Sequence, residues 1–242
     1  MSCFYQLKQI VKLLPFMRPF VKKSFALMGE DNVVVDFFNG ASVKGNYVDI
    51  GSGHPCWGSN TYLLYKRGWN GLLVDPIKTN IRMSKYLRSR DISICAGVGN
   101  QPAELIFFEL EPYEFSTFDK KIAENRISDS KARLVGKYLV PILKFKNLPV
   151  IADINFSQPT FLNIDAEGFD LNILKMINFE TYPFALICVE EWEGPLEGNT
   201  QVQDLLARNS YRLIARLGTS SLYSKARNYH QIKKGLTTIS PI

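Results

Sequence analysis

Acidic residues close two apolar runs in the second half of the chain. Asp165 ends the run FLNID and Glu167 follows it, and Glu190 and Glu191 close the run FALICVEE. Two carboxylates that lie together raise a pKa, so that one can take up a proton, and they can also bind a divalent cation. We expect Asp165 and Glu190 to form such a pair, with Glu191 as a further metal ligand and Glu167 as a helix cap. In the alternative, Asp165 holds an ammonium group of a ligand, Glu190 orders loops, and no metal is bound.

A glycine turn follows another apolar run, YVDI, and contains Asp49, Gly51 and Gly53. Glycines let the backbone approach a ligand that a Cβ would push away. Asp49 can accept hydrogen bonds from loop amides and from an ammonium group. A helix that starts near Ser59 would present free N–H groups to a carboxylate. An ammonium and a carboxylate together are the methionine end of S-adenosylmethionine.

Asp75 closes the next apolar run, GLLVD. At the end of a second strand, a carboxylate can bind both hydroxyls of a ribose. The dinucleotide fingerprint GxGxxG fails here, because Cys56 occupies its third glycine position. These residues favour S-adenosylmethionine as the cofactor, and NAD(P) or another nucleotide is the alternative.

One histidine and several tryptophans lie near these groups. His54 follows the glycine turn and is a further candidate for a catalytic base, although a loop histidine before proline is more typically a capping residue. Trp57 and Trp192 can stack on adenine or on a sugar ring, or pack in the core. We expect Trp69 to pack in the core and His230 to have no chemical role.

Alternating strands and helices position these side chains. From residue 47 the strands YVDI, GLLVD, ISICAG, FLNID and FALICVE alternate with predicted helices at 59–67, 79–90, 170–177 and 202–209. Such alternation predicts a parallel sheet with right-handed crossovers. The last two strands, YRLIAR and TSSLYSKA, are joined by Leu217 and Gly218, which indicates an antiparallel hairpin. We therefore predict a class I (Rossmann-like) α/β fold, with a mostly parallel seven-stranded sheet that ends in an antiparallel hairpin and helices on both faces.

The alternation stops between residues 100 and 159. This interval contains Ser116 and Thr117 and a basic stretch, 119–146, that we predict to be helical. A long connection at the carboxyl edge of such a sheet is usually a lid or a substrate loop. We predict an N-terminal helical extension at residues 1–45 and a catalytic domain at 46–242, with a lid-like insertion at about 100–159.

Composition and charge limit the cellular environment and the binding partners that we expect for this protein. Apolar residues make up 46% of the 242 residues and charged ones 21%, as in ordinary globular domains. The four cysteines form no CxxC pair, and neither a secretory signal nor a spanning segment is evident, so we expect a soluble, cytoplasmic protein. The basic residues at 4–28 suit contact with an anionic membrane surface, or a helix packed on the domain.

The carboxyl-terminal residues 203–242 contain seven lysines and arginines but one acidic residue. This stretch suits phosphate, nucleic acid or an acidic glycan, or it forms a solvated face. It keeps open a second function, an RNA methyltransferase or an inactive binding module. Base methylators usually carry an NPPY-like tetrapeptide or a catalytic Pro-Cys dipeptide at their strand ends, whereas this chain has DAEG at 165–168. A nucleic-acid partner is therefore disfavoured.

The run VDIGSGHPCWGSNTYLLYKRGWNGLLVDP at 48–76 resembles the FkbM family of methyltransferases. Further matches are GED at 29–31, AGVG at 96–99, FLNIDAEGFDLNILK at 161–175 and FALICVEEWE at 184–193. The resemblance implies an S-adenosylmethionine-dependent O-methyltransferase that acts on a small molecule, often on a sugar hydroxyl of a glycan. It also adds Asn60, Gly97 and Val98 to the predicted cofactor-binding residues. The loop HPCW at 54–57 departs from the more polar loop of many family members.

Overall fold

A seven-stranded sheet is the central element of the computed structural model, which describes residues 23–191 and 200–225. Within these residues the strands are β1 (Asn46–Ile50), β2 (Asn70–Asp75), β3 (Ile92–Cys95), β4 (Gly97–Val98), β5 (Ala103–Glu111), β6 (Arg133–Leu143), β7 (Thr160–Ile164), β8 (Leu186–Glu190), β9 (Tyr211–Leu217) and β10 (Ser220–Lys225). The order in the main sheet is β3-β2-β1-β7-β8-β10-β9. The first five of these strands pair in parallel, whereas β10 is antiparallel to both neighbours. The predicted fold class is confirmed.

Helices cover both faces of this sheet. The described helices are α1 (Glu30–Phe37), α2 (Tyr62–Lys66), α3 (Lys78–Leu87), α4 (Lys120–Ser128), α5 (Leu148–Ile151), α6 (Asp170–Leu174) and α7 (Thr200–Arg208). Successive side chains of β1 enter different apolar clusters, Tyr47 on one face and Val48 on the other, because strand side chains alternate. The cluster around Tyr47 includes residues of α1 and α2, and the cluster around Val48 includes residues of α6 and α7.

Two strands of the interval between residues 100 and 159, β5 and β6, form a second, three-stranded sheet with β4, in the order β4-β6-β5. The predicted helix at 119–146 is therefore wrong beyond α4, since β6 follows and pairs with β5 in antiparallel register. Apolar side chains of the two strands, Phe107 and Val140, form a small core with Ile77. Alternating strand contacts of this kind outweigh the basic composition that suggested a helix.

The carboxyl-terminal hairpin is confirmed, although its turn lies one residue later than predicted. β9 includes Leu217, and the turn consists of Gly218 and Thr219. Gly218 has a positive φ of 56°, which glycine adopts without strain. The predictions for residues 1–22, Trp192 and His230 fall outside the described residues. Within the described ranges, none of the helices is both long and apolar enough to span a membrane.

Candidate functional site

The turn after β1 contacts the carboxyl ends of both neighbouring strands. The N–H groups of Gly51 and Ser52 donate to the Val74 carbonyl oxygen of β2, at 2.8 and 3.2 Å. Gly51 has a φ of 75°, and a Cβ at this position would lie 1.7 Å from the Asp165 carbonyl oxygen beyond β7. Glycine is required here because the end of β7 occupies the space of a side chain.

Asp75 is held beside the same turn. Its carboxylate accepts the N–H groups of Gly53 and Ile77, each at 2.8 Å, and the side-chain amide of Asn80 at 3.3 Å. Burial raises the pKa of Asp75 to about 6. A carboxylate has about four acceptor positions, so capacity for a further donor remains after these three bonds. This remaining capacity is what a ribose hydroxyl would need, and the predicted role of Asp75 in binding the ribose stays a prediction.

Asp49 lies inside the protein, beneath the turn. Its carboxylate accepts hydrogen bonds from Thr61 Oγ1 at 2.5 Å and from Asn163 Nδ2 at 2.9 Å. Asn60 Nδ2 in turn donates to Asn163 Oδ1 at 3.0 Å. All four side chains are buried. Asp49 and Asn60 are both predicted to bind the cofactor, but their described hydrogen bonds are made to other protein groups.

Arg88, which the sequence analysis did not identify, lies at the centre of this buried region. Its side chain and that of Asp91 are fully buried, and its Nε donates to Asp91 Oδ2 at 2.7 Å. The Tyr47 hydroxyl donates to Asp91 at 2.7 Å and accepts from Arg88 Nη2 at 2.9 Å. Burial acts to lower the pKa of Arg88, but Tyr47, Asp91 and Asp49 outweigh it and raise this pKa, so the guanidinium is charged.

Arg88 also holds the loop that follows the glycine turn. Its Nη1 donates to the Pro55 carbonyl oxygen and to Ser59 Oγ, both at 3.3 Å, and its Nη2 donates to Thr61 Oγ1 at 3.0 Å. The segment RSRD at 88–91 offers no signal that distinguishes Arg88 from the nearby Arg90, because all partners of Arg88 other than Asp91 come from distant parts of the chain. We call the buried side chains of this region the arginine network: Tyr47, Asp49, Ser59, Thr61, Arg88 and Asp91.

The helix after the glycine turn begins later than predicted. Its first residue is Tyr62, whose N–H donates to Ser59 Oγ at 3.1 Å, and the Ser59 N–H donates to the Phe25 carbonyl oxygen at 3.1 Å. Buried Asp31 fixes residues 24 and 25 by accepting Ser24 Oγ and Phe25 N at 2.7 Å each. The prediction that N–H groups near Ser59 are free for a ligand carboxylate is therefore wrong for these two groups.

His54 caps its own loop. Its Nδ1 accepts the N–H groups of Cys56 and Trp57, both at 3.1 Å. The Trp57 side chain is 77% exposed, beside the His54 ring. Trp69 is buried and donates Nε1–H to the Val43 carbonyl oxygen at 3.0 Å, so its predicted packing role is confirmed. These hydrogen bonds correspond to the alternative in which His54 is a capping residue. The role of His54 as a catalytic base stays a prediction.

Asp165 and Glu190 lie together at the ends of β7 and β8. Burial, and next the charge of Glu190, raise the pKa of the Asp165 carboxyl well above its usual range. Glu190 Oε1 accepts the Thr219 hydroxyl at 3.1 Å, whereas its buried Oε2 has no hydrogen-bond donor among the described residues. The structure thus brings together the predicted pair. A carboxyl whose pKa is raised by a neighbouring carboxylate can hold or take up a proton near neutral pH.

The turn after β7 adds two more carboxyl groups. Burial, followed by the charge of Glu190, raises the pKa of Glu167 to about 7. Asp170 accepts the N–H groups of Ala166 and Gly168 at 3.1 Å each, and burial raises its pKa to about 6. The predicted helix cap by Glu167 is wrong, because the N-cap of α6 has no side-chain hydrogen bond, and Asp170 instead accepts N–H groups of the turn. We call Asp165, Glu167, Asp170 and Glu190 the acid cluster.

Glu191 does not join this cluster. Its carboxylate accepts the Tyr223 hydroxyl at 2.8 Å and lies 3.5 Å from Arg216 Nη2, on the hairpin side. Neighbouring residues of an extended chain direct their side chains to opposite faces, which separates Glu191 from Glu190. The predicted metal set of Asp165, Glu190 and Glu191 is therefore not brought together. Among residues 23–191 and 200–225, no group of three or more His, Cys, Asp or Glu has an arrangement suited to a metal ion.

Gly97 and Val98, also predicted to bind the cofactor, form β4 of the second sheet. A Cβ on Gly97 would lie 2.7 Å from Ile142 and 2.8 Å from the Phe118 ring. Val98 is 8% exposed and belongs to the main apolar cluster. The contacts that the structure gives Gly97 are thus packing contacts within the second sheet, whereas Val98 packs in the core of the main sheet.

The comparisons with known proteins give one match. A family model described as the methyltransferase FkbM domain matches residues 44–213. This range includes the glycine turn, Asp75 and the acid cluster. No curated protein and no solved structure matches the chain significantly.

Proposed function

Because this chain belongs to the FkbM family of methyltransferases, we propose that it transfers the methyl group of S-adenosylmethionine to a hydroxyl group of a small molecule, and that this acceptor is a sugar or a glycan. The observation that carries the proposal is the contact between the Gly51 turn and Asp165. This contact places two parts of the site side by side: the turn that we assign to the methyl donor, and a carboxyl pair that can take a proton.

The donor side consists of the glycine turn and Asp75. S-adenosylmethionine, when bound, supplies an electrophilic methyl group. Asp75 would accept the ribose hydroxyls with the capacity that Gly53, Ile77 and Asn80 leave free. Asp49 acts indirectly, since it fixes the base of the turn through Thr61 and Asn163.

The acceptor side uses the pair of Asp165 and Glu190. An alcohol has a high pKa, so a base must take its proton as the oxygen attacks. Burial and the charge of Glu190 raise the pKa of Asp165 well above its usual range, so Asp165 is suited to hold a proton. Glu190, which is oriented by the hydrogen bond from Thr219, accepts the proton of the acceptor hydroxyl. The role of this pair in binding a divalent cation stays a prediction, as do the cytoplasmic location, the membrane contact and the preference for a saccharide over nucleic acid.

Titration calorimetry with S-adenosylhomocysteine tests the donor side. We expect the protein to bind it and Asp75→Asn to weaken binding by at least about tenfold, because a charge-assisted hydrogen bond is lost. Asp129→Asn is the matched control, since Asp129 forms an exposed ion pair with Lys131. Absence of binding to the unaltered protein would overturn the proposal.

Methyl transfer to a panel of saccharides, followed by mass spectrometry, tests the acceptor side. With a saturating acceptor, Glu190→Gln should lower turnover by about 100-fold or more while S-adenosylhomocysteine still binds. Full turnover of this variant would remove Glu190 from the proton-accepting pair. Methylation of RNA, but of none of the saccharides, would replace the proposed acceptor.

A further inference from the structure

Tyr113 lies over the glycine turn. It begins the short 3₁₀ helix Tyr113–Phe115, which follows β5 in the second sheet. Its ring atom Cε2 is 3.9 Å from the position that a Cβ on Gly53 would occupy. Tyr113 is 45% exposed. The ring is thus open to a ligand that lies on the turn.

The backbone that presents this ring is fixed from below. Ser116 Oγ accepts the Leu110 N–H at 3.0 Å, and Arg126 Nη1 of α4 donates to the Phe115 carbonyl oxygen at 2.5 Å. Phe115 packs against the small core between α4 and β5. The second sheet therefore holds Tyr113 as a fixed element, although no pattern in the sequence singles it out.

Carboxyl groups near the ends of β2 and β7 act electrostatically on the phenol. Burial raises the pKa of Tyr113, and the charges of Glu114, Asp165, Asp75 and Glu167 raise it further, in that order. The phenol therefore stays protonated at neutral pH. It offers a neutral aromatic face, in a region whose carboxylates attract a positive charge.

We propose that Tyr113 binds the methyl donor, with its ring against the positively charged sulfonium end of S-adenosylmethionine. This inference rests on the proposed function. Asp75 is assigned to the ribose and Asp165 to the proton, and the turn beneath Tyr113 contacts both, Asp75 through the Gly53 N–H and Asp165 through Gly51. The sulfonium connects the ribose to the transferred methyl group, so it belongs between these two sites. A cation over an aromatic ring is attracted by the negative face of that ring.

This contact distinguishes the donor from the spent product. Transfer of the methyl group turns the sulfonium into a neutral thioether, because its positive charge is lost as the oxygen–methyl bond forms and the sulfur–methyl bond breaks. The ring then keeps its packing contact but loses the attraction to a cation. Tyr113 should therefore favour S-adenosylmethionine over S-adenosylhomocysteine.

Titration calorimetry on the full chain tests this inference with three probes: S-adenosylmethionine, S-adenosylhomocysteine and sinefungin, an analogue with an ammonium group in place of the sulfonium methyl. Tyr113→Leu should weaken the two cationic probes by about tenfold, and the neutral one by less than about threefold. Tyr113→Phe should change all three by less than about threefold, because it keeps the ring. Tyr86→Leu on α3 is the control, since Tyr86 is 86% exposed.

The outcomes separate this inference from the proposed function. If the unaltered protein binds none of the probes, the proposed function fails. If it binds them and Tyr113→Leu weakens all three equally or not at all, the sulfonium contact is overturned while the donor site stands. Thermal unfolding of each variant checks its fold, and a loss of binding in Tyr113→Phe equal to that in Tyr113→Leu would also overturn the inference.

Discussion

The arginine network and the acid cluster both contain carboxyl groups whose pKa is raised by burial, but these groups differ in their partners. In the network, Asp91 is paired with the fully buried Arg88 at 2.7 Å. In the cluster, Asp165 faces Glu190, and the pKa of Glu167 is raised to about 7 although Arg126 acts to lower it. Burial alone therefore does not mark a functional site. Carboxylates with a cation fix the scaffold, whereas carboxylates that face one another are ready for proton transfer.

The largest effect should come from the cation of the network. Arg88→Met leaves Asp91 buried and unpaired, so we expect the free energy of unfolding to fall by about 3 to 5 kcal/mol. Arg126→Met, beside the acid cluster, is the matched control and should cost less than about 1 kcal/mol. Urea denaturation followed by circular dichroism measures both. Equal losses would remove the distinction between the two regions.

A smaller effect tests the contact that links the two regions. Gly51→Ala places a Cβ at a positive φ and 1.7 Å from the Asp165 carbonyl oxygen. We expect a loss of about 3 kcal/mol, from backbone strain and the displaced strand end. Gly168→Ala also has a positive φ, but its Cβ would meet no atom within 4 Å, and it should cost about 1 kcal/mol. Similar thermal shifts for the two variants would contradict this.

The smallest effect concerns the acid cluster and depends on pH. Because the folded pKa of Glu167 is raised from 4.5 to about 7, the folded state binds more protons than the unfolded state in that window. Stability then falls as the pH rises from about 5 to about 7. Glu167→Gln removes this loss, so it should be more stable than the unaltered protein by roughly 1 kcal/mol at pH 8 and equal to it at pH 4.5. Urea denaturation at both pH values measures the difference, and a variant less stable at pH 8 would contradict it.

The sequence predicts the positions of the strand ends more accurately than the directions of the side chains at those ends. Asp75, Asp165 and Glu190 reach one edge because parallel strands share it, and the alternation of strands and helices was enough to predict this. Asp49 and Glu191 follow the same logic, yet their side chains contact other partners. The face of a strand-end residue depends on local twist and on distant neighbours, such as Asn163 for Asp49.

Arg88 and Tyr113 were missed for a different reason. Each acts through contacts with distant segments, Arg88 with the loop at Pro55 and Tyr113 with the turn at Gly53. The interval that contains Tyr113 was identified by its failure to alternate, but its second sheet arises from pairing between β5 and β6. A charge count over 119–146 does not reveal that pairing.

The pairing of β1 with β7 determines when a functional turn can exist during synthesis. Asp49 and Asn163, whose side chains are hydrogen-bonded across these strands, are 114 residues apart in the chain. Closing so long a loop is entropically costly and slows folding. A nascent chain that ends before residue 160 has β1 to β3 but lacks the strand that supports Gly51. Donor binding should therefore appear late during translation.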